Sequence, residues 1–223
     1  MIITIDGPAA SGKSAVAHRL AKRLGFWFLN TGAMYRAIGL EAIRQRIILT
    51  DGSRIIAMAQ DMVIDFDWLD TPPEVLMNGW RPGGLLNLEE VSAAASSVAK
   101  FPEIRDLLVA QQRRFGSERD NLVTEGRDQG SIVFPEAQLK FYLTADVAVR
   151  AARRHKQLIA HEIPADFNEV LSELTRRDHQ DTTRLVGRLI KPDGASVVDS
   201  SDVHDIERVV DQLEQVVRTV RAT

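Results

Sequence analysis

The chain has 223 residues, of which 44% are hydrophobic and 26% are charged, and this composition is typical of a globular protein. Its formal net charge of −3 argues against a nucleic-acid or membrane-surface partner, since such partners select strongly basic surfaces. The sequence contains no cysteine, which excludes disulfides and thiolate metal sites.

A nucleotide-phosphate site is predicted at the start of the chain. An apolar run at 2–5 precedes a loop with the spacing Gly-x-x-x-x-Gly-Lys-Ser. In this pattern backbone N–H groups converge on phosphate oxygens, and the next helix adds partial positive charge. Lys13 is expected to reach the β- and γ-phosphates, and Ser14 to ligate Mg²⁺ bound with ATP. The expected ATP-binding loop is Gly7, Pro8, Ala9, Ala10, Ser11, Gly12, Lys13, Ser14 and Ala15.

The context of this loop argues against a simple strand-to-helix turn. The run at 2–5 reads as a buried parallel strand. After the loop, Val16, Leu20 and Leu24 recur at helical spacing, and Gly25 follows as a stop signal. Strand, loop and helix therefore agree with the phosphate-binding interpretation.

Short apolar runs alternate with helical patterns along the rest of the chain. Further parallel strands are predicted at 26–29, 122–124, 139–143 and 197–198. Helices are predicted at 147–159, 167–177 and 206–220. This alternation favours an α/β fold with helices on both faces of a five-stranded parallel sheet.

The segment between the second and third of these strands is too long for one crossover. It shows helical patterns at 32–46, 89–99 and 102–115, and short strand candidates at 62–66 and 74–77. We interpret 36–118 as an inserted subdomain and 155–188 as a helical lid. The core of a single domain would then comprise 1–35, 119–154 and 189–223.

Two arginines follow successive predicted strands. Arg36 lies in Thr31-Gly32-Ala33-Met34-Tyr35-Arg36, and Arg127 in Glu125-Gly126-Arg127-Asp128-Gln129-Gly130. Taken singly, Arg36 is compatible with a solvated helix residue and Arg127-Asp128 with a structural ion pair. Because parallel strands end at the same edge, the two arginines together favour binding of a second phosphate group.

A third basic region occupies the predicted lid. Arg177, Asp181 and Arg184 are spaced i, i+4 and i+7, which would place them on one helical face. They could simply form stabilising ion pairs, or the arginines could meet a transferring phosphoryl group. Arg153 and Arg154 add positive charge on the preceding helix, where we expect them to contribute to ATP binding.

The chain resembles the bacterial cytidylate kinases, a family of P-loop nucleoside monophosphate kinases, over essentially its whole length. The resemblance rests on the phosphate loop, on Thr31-Gly32-Ala33-Met34-Tyr35-Arg36 and on Gly126-Arg127-Asp128-Gln129-Gly130. It also rests on Ala94-Ala95-Ser96-Ser97-Val98-Ala99, on Phe101-Pro102-Glu103-Ile104-Arg105 and on Arg177-Asp178-x-x-Asp181-x-x-Arg184.

This resemblance implies phosphoryl transfer from ATP to CMP, and to dCMP, with a monophosphate-binding insert and a lid. It implies Lys13, Arg127, Arg177 and Arg184 as catalytic residues. It further implies an acceptor site formed by Thr31, Tyr35, Arg36, Ser96, Arg105, Arg127, Asp128 and Asp181. The expected protein is a cytoplasmic monomer with no nucleic-acid or membrane partner, since no secretory leader or bilayer-spanning run is apparent.

Two alternatives stay open. One is a P-loop switch or adaptor that binds nucleotide without phosphorylating a metabolite, although the Asn-Lys-x-Asp tetrapeptide usual in guanine-specific switches is missing from the sequence. The other is a kinase for a different small acceptor, such as UMP or AMP.

Overall fold

The structure is a computed structural model that describes residues 1–160, 162–203 and 205–222. Its first half contains β1 (Ile2–Asp6), α1 (Lys13–Leu24), β2 (Trp27–Asn30), α2 (Thr31–Arg44), α3 (Gly52–Gln60), β3 (Ile64–Asp67), β4 (Glu74–Met77), α4 (Glu89–Val98) and α5 (Pro102–Ser117). The second half contains β5 (Leu122–Gly126), β6 (Leu139–Thr144), α6 (Val147–Ala160), α7 (Phe167–Thr183), β7 (Ser196–Asp199) and α8 (Ile206–Ala222).

The principal sheet has five strands in the order β2-β5-β1-β6-β7. β1 pairs in parallel with β5, so that Asp6 lies opposite Gly126, and it pairs in parallel with β6 on its other side. The central strands are rich in apolar residues because both faces of the sheet are covered, as the buried Ile3, Ile5 and Val123 show. The predicted five-stranded parallel α/β fold is confirmed.

The chain divides into two compact units. Unit 1 comprises Met1–Phe26 and Asn121–Thr223, and unit 2 comprises Trp27–Asp120. The predicted core, insert and lid have different boundaries, and that division stays a prediction.

In unit 1, α8 packs along α1. The apolar stripe of α8 is fully buried at Val210 and Val217, while its acidic face meets the exposed Arg23 of α1. α1 ends as predicted, because Gly25 adopts the left-handed conformation (φ 67°) and its N–H reaches the carbonyl oxygens of the last turn.

Unit 2 is built around the packing of α2 against α4. The Asn30 side chain caps α2 by accepting a hydrogen bond from the N–H of Ala33 at 3.1 Å. Gly39 lies at the centre of this packing, because an added Cβ would lie 2.9 Å from the backbone nitrogen of Ala95 and 3.0 Å from the Cβ of Ala94. α3 is not among the predicted elements.

A small antiparallel sheet of β3 and β4 also belongs to unit 2. After β4, Asn78 (φ 50°) and Gly79 (φ 78°) form a two-residue turn that brings Met77 and Trp80 together through two backbone hydrogen bonds. The Trp80 ring then lies 4.5 Å from the guanidinium of Arg44. This pairing gives the Trp- and Gly-rich turn a structural role.

None of the helices in the described part of the chain combines the length and apolar character needed to cross a bilayer.

The α2–α4 packing yields a prediction for stability. Gly39→Val should lower the free energy of unfolding by about 2 kcal/mol or more, because overpacking against a backbone nitrogen outweighs the helix-propensity gain of less than ~1 kcal/mol. Urea denaturation measures the change. Gly84→Val is the matched control, since an added Cβ there meets no atom within 4 Å. Equal stability of the two variants would contradict the role assigned to Gly39.

Candidate phosphoryl-transfer site

The predicted phosphate loop connects β1 to α1. Gly12 (φ 89°) and Ala10 (φ 58°) both adopt left-handed conformations, so that the chain curls tightly before the first turn of α1. A Cβ at Gly7 would lie 2.1 Å from the carbonyl oxygen of Leu143, which only glycine avoids. The Gly-rich pattern therefore has a steric cause at two of its positions.

Lys13 is a buried cation at the first position of α1. Its Nζ donates a hydrogen bond to the carbonyl oxygen of Pro8 at 3.1 Å and lies 3.9 Å from Oε2 of Glu125. Burial and, to a lesser extent, the charge on Arg127 lower the pKa of Lys13 to about 7, although Glu125 opposes both effects. An anion such as a triphosphate would favour the charged lysine.

The Ser14 hydroxyl, the predicted Mg²⁺ ligand, is hydrogen-bonded to Glu125. Its Oγ donates to Oε1 of Glu125 at 2.7 Å, which occupies the hydroxyl proton and leaves oxygen lone pairs for a cation. Within 1–160, 162–203 and 205–222, no group of three or more His, Cys, Asp or Glu side chains could hold a metal ion. An ion at Ser14 would therefore draw most of its ligands from nucleotide phosphates and water, as Mg²⁺ usually does.

Asp6, at the end of β1, fixes the turn after β5. Its two carboxylate oxygens accept hydrogen bonds from the backbone N–H groups of Gln129 and Gly130, each at 2.8 Å. Burial raises the pKa of Asp6 to about 7, against the two backbone donors, which lower it. These bonds hold the π-helical turn Gln129–Val133 beside the predicted Arg127-Asp128 pair.

Arg127 and Arg184 converge on Asp181. Nε of Arg127 donates to Oδ2 of Asp181 at 2.7 Å, and an Nη of Arg184 donates to Oδ1 at 3.2 Å. Although burial raises the pKa of Asp181, the two arginines lower it more, so it stays below its ordinary value. The charge of Arg177 acts on both Asp181 and Lys13. The four predicted catalytic cations therefore belong to one electrostatic cluster in unit 1.

The expectation that Arg177, Asp181 and Arg184 share one helical face is wrong at its last member. α7 ends at Thr183, and Arg184 has an extended backbone (φ −58°, ψ 148°). Arg184 still reaches Asp181, and its Nε also donates to the carbonyl oxygen of Gly187 at 2.6 Å. The helix end thus turns this arginine back toward the preceding carboxylate.

Arg153 and Arg154 have different environments. Arg153 donates hydrogen bonds to the carbonyl oxygens of Ser200 and Val203, at 2.5 and 3.1 Å, and so ties α6 to the connection between β7 and α8. Arg154 donates to Oε1 of Gln157 at 3.2 Å on its own helix. Their predicted ATP-binding role stays a prediction.

The predicted acceptor residues of unit 2 lie on three helices. Thr31, Tyr35 and Arg36 belong to α2, Ser96 to α4 and Arg105 to α5. The buried guanidinium of Arg105 lies 5.6 Å from the Tyr35 ring centroid, which joins a cation to an aromatic face. Ser96 Oγ donates to the carbonyl oxygen of Ser92 at 3.3 Å. Asp128 is a buried carboxylate of unit 1.

Sequence reasoning did not assign roles to Glu125 and Asp6. Glu125 contacts both Lys13 and Ser14, and Asp6 secures the turn that follows Arg127. One signal was available, because each is an acidic residue in or directly after an otherwise apolar strand. Buried carboxylates of this kind need donors, which the phosphate loop supplies to Glu125 and the turn after β5 supplies to Asp6.

A phosphate loop at the end of a parallel strand, with a buried lysine and clustered arginines, defines the site of a P-loop phosphotransferase. The sequence model of the cytidylate kinase family matches residues 3–219. The chain belongs to the cytidylate kinase family.

Individual relatives agree with this assignment. The chain is 43% identical over 209 residues to the cytidylate kinase of Bordetella pertussis, covering 94% of this chain and 91% of the relative. It is 40% identical over 216 residues to that of Caldanaerobacter subterraneus subsp. tengcongensis, covering 97% and 94%. An uncharacterized protein from Eubacterium ventriosum has a similar structure, with a TM-score of 0.50, 11% identity and 98% coverage of both chains. That last likeness concerns the fold alone.

The buried lysine predicts proton uptake on nucleotide binding. At pH 8 a lysine with a pKa of about 7 is mostly neutral, and a bound triphosphate would recharge it, taking up close to one proton, about 0.9. Calorimetry with a non-hydrolysable ATP analogue in buffers of different ionisation enthalpy measures this number. Lys13→Arg is the control, because arginine stays charged and should bind without uptake. Equal uptake by both proteins would contradict the assignment.

Proposed function

We propose that this protein transfers the γ-phosphoryl group of ATP to CMP, and also to dCMP, giving ADP and CDP or dCDP. Membership of the cytidylate kinase family supports the reaction. The observation that carries it in this chain is the cluster of the buried Lys13 with the half-buried Arg127, Arg177 and Arg184, whose positive charges favour a strongly anionic ligand. A triphosphate donor satisfies this requirement.

The chemistry demands alignment and positive charge. The transition state for phosphoryl transfer is loose, with charge spread over the γ-phosphoryl oxygens. Lys13 and the arginines would stabilise that charge from fixed positions, which spares reorganisation during the reaction. Mg²⁺ bound with ATP would supply further charge neutralisation, with Ser14 as its protein ligand. No general base is needed, since the acceptor phosphate is already an anion.

The residues that the family resemblance implies are proposed to bind the acceptor. The α-phosphate would be held by Arg36 and Arg127, whose planar guanidinium groups suit phosphate oxygens. Asp181 would lie toward the ribose and phosphate, with Thr31 and Tyr35 shaping the pocket. Cytosine would be held by Ser96, Arg105 and Asp128.

The base preference follows from hydrogen-bond polarity. Cytosine presents an exocyclic amine that a carboxylate at Asp128 accepts, and its ring acceptors suit donors such as Ser96 or Arg105. Uracil would instead set a carbonyl oxygen against the carboxylate. An unsatisfied buried polar group costs about 1–3 kcal/mol, and more if it is charged, so a preference for CMP of roughly tenfold or more is expected.

A cytoplasmic location, a monomeric state and the lack of nucleic-acid or membrane partners remain expectations. The lack of cysteine supports the first expectation, and the net charge of −3 supports the last.

An acceptor panel tests the proposed function. ADP release at fixed ATP and Mg²⁺ is measured without acceptor and with CMP, dCMP, UMP or AMP. We expect strong stimulation by CMP and dCMP and at least tenfold lower kcat/KM for UMP. ATP hydrolysis that no acceptor stimulates would favour the switch or adaptor, and preference for UMP or AMP would favour the other kinase class.

Asp128→Ala tests the base contact. This variant should lose at least about tenfold in kcat/KM for CMP while its affinity for an ATP analogue changes little, since only the acceptor contact is removed. Steady-state kinetics and analogue titration provide the two readouts. If both fall equally, Asp128 serves the structure and not base recognition.

A further inference from the structure

We propose that Arg150 is a positioning residue that joins the phosphate loop to α7, so that one helix sets both the loop and the arginine cluster. Arg150 lies on α6 and is buried. One Nη donates to the carbonyl oxygen of Ala9 in the loop at 3.1 Å, and Nε donates to the carbonyl oxygen of Ala145 at 2.8 Å. The other Nη pairs with Oδ2 of Asp178 on α7 at 2.6 Å. A single guanidinium thereby joins three segments of unit 1.

Apolar packing joins the same segments independently. Ala9 of the loop, Ala151 of α6 and Leu174 of α7 form one buried cluster. Ala10, the left-handed loop residue, and Val170 of α7 pack against this cluster. The loop therefore contacts α6 and α7 through both its backbone and its small side chains. Its attachment to these helices does not depend on Arg150 alone.

The burial of a charged side chain at Arg150 favours a role in positioning the loop and α7 over a role in stability. A buried ion pair contributes little net stability, because desolvation of the two charges offsets most of their attraction. Arginine is suited to fix several acceptors at once, since its donors lie in one rigid plane. Here those acceptors are two backbone carbonyls and the Asp178 carboxylate, so replacement by lysine would retain the charge and lose the geometry.

The consequence concerns α7. Asp178 and Asp181 are less than one helical turn apart, and Asp181 holds Arg127 and Arg184. Any displacement of this turn would therefore shift the loop carbonyl of Ala9, through Arg150, together with the arginines. Seating of the triphosphate and placement of the arginines are coupled by rigid contacts, and this inference rests on the proposed function because it concerns the ATP side of the site.

The test compares Arg150→Met with Asp178→Asn and with Arg176→Met. Arg176 is the matched control, because it is an exposed arginine of α7 whose ion pair is with Glu173 of the same helix. We measure the Kd of a non-hydrolysable ATP analogue without acceptor, and then kcat and the KM for each substrate. Arg150→Met should weaken the analogue about tenfold and lower kcat, with a smaller rise in the KM for CMP, because Arg150 reaches Arg127 only indirectly, through Asp178 and Asp181.

Asp178→Asn keeps the bonds of Arg150 to Ala9 and Ala145. It should therefore affect analogue binding less than Arg150→Met does, while lowering kcat by several-fold. Arg150→Lys should lose less analogue affinity and less kcat than Arg150→Met, without reaching the wild-type values. Arg176→Met should match the wild-type protein in every constant.

Three outcomes would overturn the proposal. Arg150→Met could have the same kinetic constants as Arg176→Met, or it could weaken ATP and CMP binding equally. Alternatively, Arg150→Lys could bind the analogue and turn over as the wild-type protein does. If Arg150→Met does not fold, Asp178→Asn decides, and unchanged kcat in that variant overturns the coupling. Analogue binding is measured without acceptor, so a failure of CMP as substrate would refute the proposed function and leave the binding comparison of Arg150→Met with Arg176→Met intact.

Discussion

The site depends on a lysine ammonium held out of water at the start of α1. Buried charge of one sign is costly, and two like charges about 4 Å apart repel by ~4 kcal/mol at an effective dielectric constant of ~20. Lys13 shares its surroundings with Arg127 and Arg177, so the carboxylates of Glu125 and Asp181 must offset the repulsion. They do so incompletely, since the pKa of Lys13 falls to about 7. The positive charge that these carboxylates do not offset favours binding of a polyanion at this site.

The strands and most helices of the fold follow from local sequence pattern. Buried parallel strands such as β1 are rich in apolar residues, and α8 repeats its apolar residues at helical spacing. α3 is harder to predict from the sequence, because only Ile55, Met58 and Ala59 of its nine residues are buried. Asp51 does cap this helix, by accepting a hydrogen bond from the N–H of Arg54. The π-helical turn Gln129–Val133 is still harder to predict, because the hydrogen bonds that hold it are made to Asp6, which is far away in the sequence.

The residues of the site divide in the same way, into those that local sequence predicts and those that it does not. The phosphate loop is predictable because its chemistry is carried by eight consecutive residues. The roles of Glu125 and Asp6 depend on hydrogen bonds to residues 111 and 123 positions away, which only the sheet register brings together. Arg184 combines both cases, because its residue type and spacing are visible in the sequence, whereas its position just beyond the end of α7, where it turns toward Asp181, is seen only in the structure.

Because the buried charges of the site oppose folding, the stability of unit 1 must come from elsewhere. The exposed pairs of Arg23 with the acidic residues of α8 are poor candidates, since exposed ion pairs contribute between about 0 and 1 kcal/mol. Full burial of an aliphatic side chain contributes about 1.5–3 kcal/mol, and Val210, Leu213 and Val217 of α8 are all buried. The apolar seam between α1 and α8 therefore stabilises the same helix whose first residue is the buried lysine. A helix anchored along its length in this way can hold an unfavourable charge at its N-terminus, where a bound phosphate would meet both the lysine and the helix dipole.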